Sequence, residues 1–338
     1  MDNGKPYTKG DTYRAKAEAA QRQFRAESMN AGWREWGHLL DEKAIESGAN
    51  FLTDSAMEAA KKRESKGKGV DHKRTWGNML SSQAMCFNIF GTLSASEVGK
   101  TALAKSLDSL GYPVRSVESV DIEFTPKPDV FGDQSSTGGV DCDVLVSFTA
   151  LDDRAGVLVM ETKFVEPEFS KCGFRSKPEY RLNKKTGQQE KTNRCPEGTV
   201  AGCDGSGCRY QTKGYLYWKC SMEHQTLASG VCDGECPFGD YKWQLWTNHT
   251  LAHILKPDSD AIALYAVCAP KNNKALLDSD KGRFSKLDGF RSLLRNPDSF
   301  SLLSVEDLVA SLHETVPVDF LPERQQWLSG LSSRYVVD

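Results

Sequence analysis

The sequence predicts an α/β fold, and three observations predict it. Apolar runs of strand length stand at residues 144–148, 157–160 and 261–268, each ended by polar or turn-forming residues. Residues 11–28 and 53–63 are rich in Ala, Glu, Arg and Gln, the composition of helices. Near the far end Ser304 precedes Val305, Glu306 and Asp307 in the pattern of a helix N-cap, where a hydroxyl accepts from an otherwise orphaned N–H.

Taken in order, residues 1–75 read as an N-terminal helical region closed by a basic linker. That linker is residues 61–74, with seven basic and two acidic side chains among glycines, and a solvated tether is the expectation. Trp33 and Trp36 read as packing anchors of the helical layer. Residues 76–170 open the core, and residues 150–156, with two Asp, an Arg and small residues, turn a hairpin between the first two apolar runs. Residues 171–236 form a basic, Cys-rich insertion. Residues 237–338 complete the core: the strand at 261–268 leaves through Ala269-Pro270-Lys271-Asn272-Asn273, a helix follows Ser304, and Pro322 suits the first turn of a last helix reaching Tyr335.

Chemistry concentrates at the ends of the first two apolar runs. Asp143 directly precedes one, and Glu161-Thr162-Lys163 closes the other. Strand side chains alternate faces, so Glu161 and Lys163 project to one side. Hard divalent cations such as Mg²⁺ prefer carboxylate oxygens and keep several waters, so two acids on neighbouring strands can hold one ion against a phosphate. Lys163 beside them can orient the attacking water, or deprotonate it if burial depresses its pKa. Phosphodiester hydrolysis is the reaction these groups suit. Asp141 competes with Asp143, since the two share a strand face at i and i+2; Asp143 is favoured because the apolar run begins directly after it.

These residues resemble the PD-(D/E)XK nuclease superfamily. The likeness extends to the surroundings: Ser81-Ser82-Gln83-Ala84 and Asn88-Ile89-Phe90-Gly91 upstream, Glu123-Phe124 before the Asp143 run, and residues 241–248 downstream. That order resembles a bacterial, restriction-endonuclease-like branch, over residues 76–170 and 237–312. The resemblance implies a central mixed β-sheet flanked by helices and cleavage of nucleic acid, DNA foremost, with Mg²⁺ or Mn²⁺. It implies Asp143 and Glu161 as ion ligands, Lys163 at the water, and Gln244 on a supporting helix. The helix ahead of the sheet, where the superfamily often carries a Glu, holds no acid at residues 81–93, so Glu123 is the substitute. Restriction, phage defence and repair are the settings it implies, with a second copy or a defence-system protein as further partners.

A chain of 338 residues, 39% hydrophobic, can bury a sizeable core. No apolar stretch is long enough to span a bilayer and the N-terminus lacks the layout of an export signal, so a cytoplasmic protein is the expectation. A net charge of −3 gives no global attraction to nucleic acid, which leaves binding to local basic patches. Residues 171–194 hold eight basic and two acidic side chains, with Phe174 and Tyr180 interleaved. Lys171, Arg175, Lys177, Arg181, Lys184 and Lys185 are the candidate phosphate contacts there.

Seven of the ten cysteines lie between Cys172 and Cys236. Cys203 with Cys208 and Cys232 with Cys236 are candidate ligand pairs, with Cys195 and Cys220 as further thiols. Four thiolates close a tetrahedral Zn²⁺ site that would staple an insertion too polar to pack itself; an iron–sulfur cluster is the competing use.

Two lookalikes and one alternative complete the reading. Gly91 through Gly99-Lys100-Thr101 resembles a phosphate-binding loop, but Ser94 replaces a glycine and Glu97 would repel the phosphates. His249 and His253 sit four apart, yet Thr250 stands where a metalloprotease needs its general-base Glu. A catalytically silent binding module, in which the cysteines hold zinc and read DNA, is the reading from another class.

Overall fold

The structure, a computed structural model, describes residues 2–67, 69–133, 140–176, 180–182, 185–191, 195, 202, 205–231, 233–278, 282 and 284–337. Its main elements are α1 (Tyr13–Phe24), α2 (Asp54–Glu64), α3 (Ser82–Cys86), α4 (Glu97–Ser109), β1 (Val114–Phe124), β2 (Cys142–Ala150), β3 (Ala155–Thr162), α5 (Lys242–Ile254), β4 (Ile262–Ala269), β5 (Phe300–Ser304), α6 (Val305–Thr315) and α7 (Arg324–Tyr335). The five strands form one sheet in the order β1-β2-β3-β4-β5. Its first two pairings are antiparallel and its last two parallel, so the sheet is mixed, as the resemblance implied.

Local chemistry accounts for the hairpin between β2 and β3. Asp153 takes a left-handed backbone, φ 67°, and its N–H donates to Ala150 O while Ala150 N–H donates to Arg154 O. Gly156 pairs with Phe148 across the strands, and a Cβ there would lie 2.2 Å from the Phe148 ring, so a larger residue would displace it. The parallel step from β3 to β4 crosses over through the insertion and α5.

Alternation divides the core in two. Val144, Val146, Phe148, Leu158 and Met160 join one apolar cluster with residues of α4, α6 and α7. Leu145, Val157 and Val159 face the other way, into a second cluster with Leu245, Trp246 and Ala252 of α5. Both sheet faces are therefore covered, and a third face-sharing position of β3, Glu161, points towards α5.

The N-terminal helices pack onto the same body. Gln21 of α1 donates to Arg334 O and accepts from Arg334 Nε, at 2.6 and 2.8 Å. Trp33 and Trp36 sit half-buried in a small hairpin, with Lys5 Nζ over the Trp36 ring. Residues 61–64 close α2 instead of opening a tether, and Arg63 is buried. Composition alone concealed this, because a basic run looks the same on an exposed helix end as in a linker.

The insertion also packs more than its polarity suggested. Tyr217 and Trp218 are buried, as is Phe238 just beyond residue 236, and Phe238 and Trp218 lie against the Trp246 ring at 4.2 and 4.9 Å between centroids. Aromatic side chains scattered through Gly-rich sequence have no periodicity to announce them, yet each buries a large apolar area. Among the described residues no helix is long and apolar enough to cross a membrane.

Candidate active site

Strand register builds the site. Ile122 pairs with Val144 and Phe124 with Cys142, which sets Glu123 opposite Asp143. Val144 pairs with Met160, so the next step of that register sets Asp143 opposite Glu161. Three acids from three adjacent strands thus form one row across the sheet. Asp141, the competitor for Asp143, lies exposed and before β2.

Each acid is held by a different donor set. Asp143 Oδ2 accepts from the Thr162 N–H at 2.6 Å and the Thr162 hydroxyl at 2.7 Å, which leaves Oδ1 without a partner among the described residues. Glu161 is buried; its Oε1 takes Lys163 Nζ at 2.8 Å and Gln244 Nε2 at 2.7 Å, and its Oε2 takes Asn248 Nδ2 at 2.9 Å. Gln244 and Asn248 are four apart on α5, so one helical face grips one carboxylate. Glu123 is buried with a left-handed backbone, φ 53°, a conformation that costs a non-glycine residue energy. Arg63 Nε donates to the Glu123 carbonyl at 2.7 Å, and Gln83 hydrogen-bonds its carboxyl.

Crowding of like charge shows in the protonation of these groups. Burial, then the charge of Glu161, pushes the Asp143 carboxyl up to about 7, against the pull of Lys163 and Thr162. Burial, then Asp143, pushes Glu123 up to about 9. For Lys163 burial favours the neutral amine, but Glu161, Asp143 and Glu166 outweigh it and hold the ammonium above its ordinary value. With no metal ion in the row, Lys163 therefore stands as a cation, the opposite direction from the depressed pKa a base would need.

The donor set fits a hard divalent cation. Carboxyl residues stand side by side on three adjacent strands near Lys163 and Arg63, one Asp143 oxygen has no protein donor among the described residues, and two carboxyls carry raised pKa values that a cation would relieve. Among the described residues no three His, Cys, Asp or Glu side chains stand at ligating geometry, and the Glu161 carboxylate is engaged by Lys163 and Gln244.

The loop after β3 is pinned from two sides. Glu166 accepts from Phe164 N–H and from the Ser82 hydroxyl, at 2.7 and 2.8 Å, while buried Asn273 donates to the carbonyls of Phe164 and Glu166.

Other sequence candidates fall elsewhere. Lys171 is exposed and paired with Glu168. Arg175 pairs with Glu235, lies against Gly239 and reaches Cys236 O, so its guanidinium is engaged inside the insertion. Lys185 is exposed; Lys177 and Lys184, and the Arg181 side chain, lie outside the described residues. A cleft of about 750 Å³ beside α5 is lined by Lys171, Lys242, Arg175 and Cys195 among others. The described cysteines are free thiols. Burial pushes the Cys172 and Cys236 thiols up, with Cys195 and Cys208 near enough to add to it, whereas Cys220 turns away, its Sγ 3.6 Å from Val130 O. Cys203 and Cys232 lie outside the described residues.

The lookalikes dissolve. Residues 87–94 are helical, the helix α3 and not a strand leads into them, and a Cβ on Gly99 would lie 2.2 Å from Leu93 O, so that glycine serves packing. Lys100 pairs with Glu97 and donates to Glu118 O. His249 donates to or accepts from Ser299 Oγ inside the core, and burial pushes both His249 and His253 down, the latter to about 4.

A family model of the PD-(D/E)XK nuclease superfamily matches residues 9–193, more than half of the chain. The chain belongs to the PD-(D/E)XK nuclease superfamily. The match takes in the N-terminal helices as well as β1 to β3, so the superfamily unit extends across the residues that build the acid row. No curated protein and no solved structure matches the chain.

Sequence reasoning missed Thr162, Asn248, Gln83 and Arg63 as parts of this site. Asn248 had a signal, its i+4 spacing from Gln244 on one helix. Thr162 had none, because strand alternation points it to the opposite face from Glu161, and it reaches Asp143 only by bonding at the strand end.

Proposed function

We propose that the protein is a divalent-cation-dependent nuclease that hydrolyses phosphodiester bonds in DNA. Membership of a nuclease superfamily gives the class of chemistry, and the row Glu123–Asp143–Glu161 with Lys163 at its edge is the observation that carries the finer reading. When bound, Mg²⁺ or Mn²⁺ supplies charge against the phosphate and a water of lowered pKa. Asp143 and Glu161 would hold it, with Glu123 beside them.

The chain's own residues do the positioning. Thr162 fixes the Asp143 carboxyl through one oxygen and leaves the other without a protein donor among the described residues, and Gln244 with Asn248 fixes Glu161. Lys163, an ammonium, orients the water and opposes charge that develops on the phosphoryl oxygens. It exchanges its partner Glu161 for substrate as the site fills. A structural Zn²⁺ among the cysteines of residues 171–236 belongs to the same proposal; Cys195 and Cys208 act electrostatically on Cys172 and Cys236, but among the described residues no three of them stand at ligating geometry, so binding would have to draw them together.

The test is a panel of labelled single- and double-stranded DNA and RNA with Mg²⁺, Mn²⁺ or EDTA. Wild type cleaves DNA with metal, while Glu161→Gln and Lys163→Ala do not and remain folded by thermal unfolding. Binding without cleavage in any metal would select the silent module instead; equal activity in wild type and both variants would remove the assignment.

A further inference from the structure

Two glutamines tie the acid row to the chain on either side of it. Gln244 donates to Glu161 and accepts from the Ser170 N–H at 2.8 Å, next to Lys171. On the other side Gln83 hydrogen-bonds Glu123, accepts from the Asp71 N–H at 3.0 Å and from the Thr75 hydroxyl, and donates to Gly69 O. Arg63 grips the Glu123 carbonyl and donates through Nη2 to the Thr125 hydroxyl at 2.9 Å. The basic run 61–74 is thus fastened near both of its ends to the first acid of the row.

What that anchoring holds in place is positive charge. Lys66 and Lys73 are exposed and have no partner among the described residues, and Arg74 is 59% exposed with Glu166, itself bonded to Ser82 and Phe164 N–H, 3.8 Å away. A solvated tether has no cause to bury Arg63 or to dock a glutamine amide onto three backbone and side-chain partners at once. Unpaired cations kept beside buried acids repel one another, and a polyanion removes that repulsion.

We infer that Lys66 and residues 69–74 form a substrate-backbone contact on the Glu123 side of the site, the bank opposite Lys171. Lys66, Lys73 and Arg74 engage phosphates of the strand whose scissile bond lies over the acid row. Gln83 registers this bank against Glu123 as Gln244 registers the other against Glu161. The inference rests on the nuclease reading and adds to it where the substrate lies.

Binding of labelled duplex and single-stranded DNA to the full chain, measured by fluorescence anisotropy in Ca²⁺ at several salt concentrations, tests it. The variant carries Lys66→Glu, Lys73→Glu and Arg74→Glu; the control carries Lys43→Glu, Lys105→Glu and Lys213→Glu, an equal charge change on exposed residues elsewhere. Loss of three phosphate contacts weakens binding at least tenfold relative to the control and lowers the slope of log Kd against log salt by about 2 to 3, since each contact contributes about 0.9. A variant that binds with the affinity and slope of the control, while wild type cleaves, overturns this inference and leaves the nuclease standing. A wild type that neither binds nor cleaves takes both down.

Discussion

Asp143→Asn should stabilise the metal-free protein, and by an amount that grows with pH. Asn retains an oxygen to accept both Thr162 bonds while removing one charge from the acid row. The Asp143 carboxyl lies near 7 in the folded state, above its ordinary 3.8. A carboxyl raised on folding favours the folded state fully below its unfolded pKa, and that contribution is lost as pH climbs through the folded value. Linkage then gives wild type a handicap of between about 1 and 2 kcal/mol at pH 5 and on the order of 4 kcal/mol at pH 8. Whatever fixed cost the amide itself carries, the gap between variant and wild type should widen by about 2 to 3 kcal/mol across that interval. Urea unfolding in EDTA at both pH values reads it, followed by repetition in Mg²⁺, which should rescue wild type at pH 8 and leave the variant unmoved. A gap that stays constant with pH, or that narrows, refutes the reasoning that like charge is concentrated at Asp143.

Other substitutions probe separate links. Lys163→Met removes one partner of a 2.8 Å ion pair whose side chains are 12% and 6% exposed, and should cost metal-free protein about 3 kcal/mol in urea unfolding, since it strands a buried charge. Asn248→Ala leaves Glu161 Oε2 without its donor; calorimetry should find Mn²⁺ affinity reduced about 10- to 100-fold. Arg334→Met strips hydrogen bonds from Gln21 and from Asn50 in a fully buried spot between α1 and α7, and about 2 to 4 kcal/mol of stability should go with them. Ser304→Ala, which removes the cap accepting from Asp307 N–H, should cost about 1 kcal/mol by thermal unfolding and leave cleavage intact.

The parts of the fold legible in the sequence were those with a local signature. Apolar runs gave β2, β3 and β4 within a residue or two, because strands buried on both faces need such runs. Ser304 announced α6 through its cap, and α1 and α2 through composition. The last helix begins at Arg324, two residues after Pro322, since Glu323 and not the proline occupies its N-cap. Asp143, Glu161, Lys163 and Gln244 could be named because the superfamily pattern spaces them, and the register brings the two acids face to face. What stayed hidden depended on contacts between distant segments. Arg63 reaches Glu123 from 60 residues away, and nothing about a lysine-rich run distinguishes a docked bank from a tether. The packing of Trp218 and Phe238 on Trp246 was equally silent, as aromatic pairing leaves no period in the chain.

Crystals grown with Mn²⁺ and measured for anomalous scattering put the central arrangement to the most direct test. The account requires a peak between the Asp143 and Glu161 carboxyls that disappears in Asp143→Asn crystals soaked identically. A strong peak elsewhere in the chain, or saturating Mn²⁺ with the row still bonded only to Lys163, Gln244, Asn248 and Thr162, would contradict it.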